Sequence, residues 1–135
     1  MVRDVKLIKE ILVSCKNKAG ILANISKILA DSGINIQGVA GYAVNEEAKI
    51  MLVTEDNLRA VDAIKKAGYK NVREGEVIIA DLVNKPGALK SFTAKLATVG
   101  IDIKYAYGTI CSEGCPGKIV LSTSDNEKAV VLFKG

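Results

Sequence analysis

The sequence predicts an α+β protein built from two tandem ferredoxin-like βαββαβ units, the second lacking its final strand. Three observations carry this. Asn17-Lys18-Ala19-Gly20-Ile21-Leu22 recurs 67 residues later as Asn84-Lys85-Pro86-Gly87-Ala88-Leu89. The register holds downstream, where Leu29-Ala30 returns as Leu96-Ala97 and Gly33-Ile34-Asn35-Ile36 as Gly100-Ile101-Asp102-Ile103. Within each copy, the hydrophobic period switches between two and 3.6 in the same order. The implied units are residues 1–74 and 75–135. At about 70 residues each is marginal alone, so burial against the other unit or a second chain should supply part of its stability.

In the first copy, residues 7–15 form an apolar, strand-like run that stops at Lys16-Asn17-Lys18. A helix follows, with Ile21/Leu22, Ile25, Ile28/Leu29 and Ser32 on one face and Gly33 placed for a left-handed C-terminal cap. Residues 34–42 alternate as a second strand, Asn45-Glu46-Glu47 turns the chain, and residues 48–54 form a third strand. Asp56 can cap a second helix that carries Leu58, Val61 and Ile64 inward, with Lys65 and Lys66 suited to its C-terminal dipole and Gly68 to its end. A fourth strand is expected over residues 69–73.

The second copy repeats the plan: a strand at 77–83, a helix presenting Leu89, Phe92, Leu96 and Val99, a strand from 101 to about 110, and another from 118 to 122. The register then moves to 69, matching Asp56-Asn57 with Asp125-Asn126, so two residues are inserted around 111–117. Ser124 or Asp125 can cap the last helix. With no fourth strand in this copy, the edge of residues 77–83 should be exposed, and an apolar edge invites pairing with another unit of the same or a second chain.

Composition narrows the chemistry. The 135 residues are 49% hydrophobic and 25% charged, as in an ordinary globular protein, and no apolar run approaches the ~20 residues of a membrane span. The start, Met-Val-Arg-Asp-Val-Lys, lacks the apolar middle of a signal peptide, so a cytoplasmic location is expected. Histidine is absent, which excludes imidazole acid–base catalysis, Ser-His or Cys-His pairs and histidine-bearing zinc sites. The net charge of +4 is spread through the chain, and 4% aromatics give few base-stacking surfaces, so no nucleic-acid partner is expected. No nucleophile and base stand at usable spacing, and no cofactor or metal motif is present. Cys15 reads as a small core residue. Cys111 and Cys115 lie in a turn where they could form a hairpin disulfide or offer two metal ligands, but reduced thiols are the default in the cytosol.

The most informative segment is the turn from first strand to first helix. A helix N-terminus offers unpaired N–H groups and a positive dipole end, suited to a carboxylate, and Gly20 and Gly87 permit close approach there. Asn17 and Asn84 either cap the helix or contribute to a ligand, and Pro86 pre-sets its turn. A capped helix start with no ligand explains the same residues. Asn35 and Asp102 are either polar groups beside that helix start or the solvent-facing members of alternating strands.

Asn-Lys-(Ala/Pro)-Gly-x-Leu followed by Leu-Ala-x-x-Gly-Ile-(Asn/Asp)-Ile resembles the ACT domain, a small regulatory module that binds amino acids, over nearly the whole chain and twice. The resemblance implies side-by-side pairing of units and amino-acid sites where a first-loop glycine meets a neighbouring second strand. It implies ligand contacts from Asn17, Ala19, Gly20, Ile21 and Leu22 with Asn35 and Ile36, and from Asn84, Pro86, Gly87, Ala88 and Leu89 with Asp102 and Ile103. The two sites would differ, since Ala19 stands where the motif has proline and Asp102 puts a charge where Asn35 offers an amide. The implied protein is not an enzyme. It binds an amino acid, forms a homodimer or larger homo-oligomer, and modulates its own assembly or a separate metabolic enzyme. The alternative is a structural subunit of an enzyme complex that no longer binds ligand.

Overall fold

A computed structural model describes residues 2–109 and 114–134. The elements run β1 (Val2–Lys16), α1 (Ile21–Asp31), β2 (Ile36–Val44), β3 (Glu47–Thr54), α2 (Asn57–Lys66), β4 (Asn71–Leu82), α3 (Ala88–Thr98), β5 (Ile103–Thr109), β6 (Gly117–Thr123) and α4 (Asn126–Leu132). They form two units, Lys9–Gly75 and a discontinuous one made of Met1–Ile8 with Glu76–Gly135.

In the Lys9–Gly75 unit the strand order is β2-β3-β1-β4, the ferredoxin-like order 4-1-3-2. β3 runs antiparallel to β1 (Ile11↔Leu52, Val13↔Ile50) and to β2 (Val39↔Leu52, Gly41↔Ile50). This register sets Ile11, Val13, Ile50 and Leu52 on one sheet face, where Ile21, Ile25 and Leu29 of α1 and Ala60 and Ile64 of α2 close the core. In the other unit β5 and β6 are antiparallel, β6 pairs with β4 (Ile78↔Leu121, Ala80↔Ile119), and β1 is the neighbour of β4 on its far side. Its core joins Ile78, Ala80, Leu82, Phe92, Leu96, Leu121 and Ala129 to Val5, which comes from the chain's first residues.

Residues 1–8 belong to the unit that follows Lys9–Gly75 in sequence. The boundaries at 1–74 and 75–135 give way to a unit that takes Met1–Ile8 from the other end of the chain. The edge along residues 77–83 is covered by β1, the same-chain pairing that was one of the two expected. The strands expected at 69–73 and 77–83 are one strand, β4. Glu74-Gly75-Glu76 has the composition of a turn, but the missing side chain of Gly75 serves close packing: a Cβ there would lie 2.8 Å from Leu12 Cδ1.

Two helix faces also differ from expectation. Leu58 is 76% exposed, and the inward positions of α2 are Ala60 and Ile64, with Val61 half-buried. In α3 the inward first-turn residue is Ala88, while Leu89 is 52% exposed.

The entries to α2 and α4 are identical hydrogen-bonded knots. Asp56 and Asp125 are the N-caps, accepting from the N–H of Arg59 and Lys128. Thr54 donates through N–H and Oγ1 to Asn57 Oδ1 (3.2 and 2.7 Å), and Asn57 Nδ2 donates to the Lys9 carbonyl at 2.9 Å. Thr123, Asn126 and the Glu76 carbonyl repeat this at 3.1, 2.6 and 3.0 Å. Each asparagine thus ties a helix start to a strand of its own unit. Asn57→Ala is expected to leave part-buried donors without their acceptor and to cost about 2 kcal/mol in urea unfolding, and Asn126→Ala the same. A loss below ~0.5 kcal/mol, the range of ordinary surface substitutions, would contradict this role.

Candidate functional site

Residues 17–20 join β1 to α1, and 84–87 join β4 to α3. Helix α1 is capped by Gly20 at φ 90°, ψ 4° and α3 by Gly87 at φ 89°, ψ −8°, so both loops enter their helix through the same left-handed backbone, which glycine alone adopts without strain. The N-cap residue of each helix is this glycine, which has no side chain to cap with. Asn17 instead donates its N–H to the Glu46 carbonyl at 2.7 Å, fastening the loop to the β2–β3 turn. In the second copy the N–H of Ala88 closes onto the Lys85 carbonyl at 3.3 Å across Pro86.

Ala19, Gly20, Pro86 and Gly87 are exposed, as are Asn17 and Asn84, whereas Ile21 and Ala88 point into the cores. The next residue in each copy does the reverse: Leu22 is 46% and Leu89 52% exposed, a large apolar side chain in solvent beside a helix start. These loops therefore present main-chain N–H groups, a positive dipole end and an apolar surface together.

Asn35 and Asp102 do not join the loops of their own units. Asn35 follows the C-terminal end of α1, and an eleven-residue helix spans about 16 Å. At that end the N–H of Asn35 donates to Glu55 Oε1 (3.1 Å) and that of Glu55 to the Asn35 carbonyl (3.4 Å). In the second copy the N–H of Asp102 donates to Ser124 Oγ and that of Ser124 to the Asp102 carbonyl, both at 2.9 Å. Each copy therefore holds one carboxylate and one neutral group at this spot, with the acid exchanged between the two positions. The side chains of Asn35 and Asp102 are exposed, while Ile36 and Ile103 are half-buried against the cores. Beside this end, Arg59 Nη2 donates to the Ser32 carbonyl at 2.7 Å and Lys128 Nζ to the Val99 carbonyl at 3.2 Å, satisfying the last carbonyls of α1 and α3.

Sequence reasoning missed a group behind the first loop. Asn24 Nδ2 donates to the Tyr69 hydroxyl at 2.6 Å, linking α1 to the segment after α2. Cys15 packs against the core as expected, but it is a free, half-buried thiol that lines a cavity together with Asn24 and Tyr69. Burial pushes its pKa up, opposed by the Lys18 ammonium and reinforced by Glu47. Cys115 is disulfide-bonded, which overturns the expectation of a reduced thiol there; Cys111 lies outside the described residues. Among the described residues no three His, Cys, Asp or Glu side chains could hold a metal, and no helix is long and apolar enough to cross a membrane.

Residues 9–66 match the model of the ACT domain. No curated protein matches the chain. Among solved structures, protein BT0572 from Bacteroides thetaiotaomicron is similar over 95% of this chain and 87% of its own, with a TM-score of 0.86 at 22% identity. The ligand-free regulatory subunit of aspartate kinase from Thermus thermophilus is similar over 98% and 96%, with a TM-score of 0.66 at 13% identity. The aspartate kinase of Clostridium acetobutylicum matches 98% of this chain with 34% of its own, with a TM-score of 0.54 at 14% identity. At these identities the likeness is one of fold.

Proposed function

Because residues 9–66 match the model of the ACT domain and the remainder of the chain repeats their elements, we propose that this is a non-catalytic regulatory protein of the cytoplasm that binds amino acids where two such units meet. The observation that carries the reading is the separation just described. Residues 17–22 lie at one end of α1 and Asn35 and Ile36 at the other, and residues 84–89 stand likewise to Asp102 and Ile103. A site that uses both groups needs the loop of one unit and the second strand of another. The ligand's carboxylate is then held by main-chain N–H groups beside Gly20 or Gly87, its ammonium by Asn35 or Asp102, and its apolar part by Leu22 or Leu89.

A ligand so placed favours the assembled state by its differential affinity for that state, which makes a homodimer or larger homo-oligomer the responsive form. Full-length likeness to a separate regulatory subunit of aspartate kinase supports action on a separate metabolic enzyme. Ala19 and Asp102, which depart from the loop and strand motifs, favour one second reading, an interaction subunit of an enzyme complex that binds no ligand.

Thermal shift and calorimetry with each of the twenty amino acids separate the two. On the first reading one of them stabilises the protein by about 2.7 kcal/mol at a hundred times its Kd, and the response disappears when Gly20 and Gly87 are both replaced by valine. Silence toward all twenty removes it.

A further inference from the structure

The Lys9–Gly75 unit contains a cavity of about 290 Å³ between the first loop, the start of α1 and the segment after α2. Lys16 and Lys18 bring two positively charged residues to its lining, Ile21 an apolar one, and Cys15 a thiol-bearing one. No carboxylate lines it; Glu46 and Glu47 stand in the neighbouring cleft that shares Cys15 and Lys16, with Glu47 paired to Lys49 at 2.7 Å. Tyr69 Oη accepts from Asn24, which leaves its own proton available to a further acceptor. The volume lies at the small end of ligand pockets, too small for a nucleotide and suited to an acid of a few carbon atoms.

The repeat offers an internal comparison. The positions of Cys15 and Lys16 in the other copy are occupied by Leu82 and Val83, of which Leu82 is buried in the core, and the position of Asn24 by Ser91. Cys15, Lys16 and Asn24 are therefore particular to one unit, while Lys18 recurs as Lys85.

We propose that this cavity is a binding site for a small carboxylate anion, formed within a single unit by Lys16, Lys18 and the Tyr69 hydroxyl. It requires neither a second unit nor amino-acid recognition at the exposed loops. The two ammonium groups draw the anion in, the hydroxyl donates to it, and Ile21 excludes water from one side.

Cys15 makes the test direct. Alkylation of the full chain under non-reducing conditions, followed at Cys15 by mass spectrometry, compares anionic iodoacetate with neutral iodoacetamide. Their rate ratio cancels the thiolate fraction, so a changed thiol pKa in a lysine variant does not disturb it. Relative to N-acetylcysteine the ratio is expected to rise about fivefold, the effect of two nearby cations on one anion. Saturating succinate is expected to slow iodoacetamide at Cys15 about threefold by occupying the cavity. The double variant Lys16→Gln, Lys18→Gln loses both effects, and Lys85→Gln, in the loop of the other copy, loses neither. A ratio equal to that of N-acetylcysteine, or succinate protection that survives the double variant, overturns the assignment.

Discussion

Deleting residues 2–8 is expected to unfold the unit formed with Glu76–Gly135 while the Lys9–Gly75 unit persists. The deletion removes Val5 from the core, a loss of about 1.5–3 kcal/mol, and strips β4 of part of its neighbouring strand. Unpaired strand groups add to this, and at about 4–8 °C per kcal/mol for a domain of this size the midpoint should fall by at least about 15 °C. Calorimetry should resolve a lower and a nearly unchanged transition, and hydrogen exchange should show lost protection at residues 77–82. Arg3→Ala, at an exposed position, should change neither. If the deleted chain melts as one transition at the parental temperature, with β4 still protected, the first residues do not belong to that unit.

Phe92→Ala should be the most damaging single side-chain truncation in the same unit. Phe92 is fully buried, and its ring centroid lies 4.8 Å from that of Phe133 at an interplanar angle of 41°. Emptying this volume is expected to cost about 3–5 kcal/mol, a large part of the 5–15 kcal/mol that holds a typical domain. Lys95, whose ammonium lies 5.1 Å from the Phe133 ring centroid, loses its support as that ring shifts. Leu58→Ala is the matched control. The sequence pattern assigned Leu58 to the core, but at 76% exposure its truncation should change stability by less than about 0.5 kcal/mol. Urea unfolding of the two variants in parallel decides the point, and a comparable loss from both would place Leu58 back inside.

What could be read from the sequence followed from signals that act locally. Asp56 and Asp125 cap their helices because a short acid before a periodic run satisfies orphan N–H groups wherever it occurs. Gly33, Gly68 and Gly100 end helices with positive φ for an equally local reason. Residues that depend on distant partners were silent. The opening Val2-Arg3-Asp4-Val5-Lys6 has one buried apolar side chain and no clean alternation, and only a strand some 70 residues away makes it a strand. Leu58 outweighs Ala60 by hydrophobicity, yet the rotation of α2 is set by Asn57 tied to Lys9, which favours Ala60. Asn35 lies close to residues 17–22 in sequence and far from them in space, because the helix between them is a rigid spacer.

The discontinuous unit has a consequence for synthesis. Residues 1–8 are synthesised before the strand they lie beside and the helices that bury Val5, which follow only after all of Lys9–Gly75 has been made. At typical translation rates of about 5–20 residues per second, the leading segment waits several seconds with its backbone unsatisfied while the interposed unit is completed. Arg3, Asp4 and Lys6, which are exposed, keep that waiting segment hydrated and discourage it from pairing with a neighbouring chain on the same polysome.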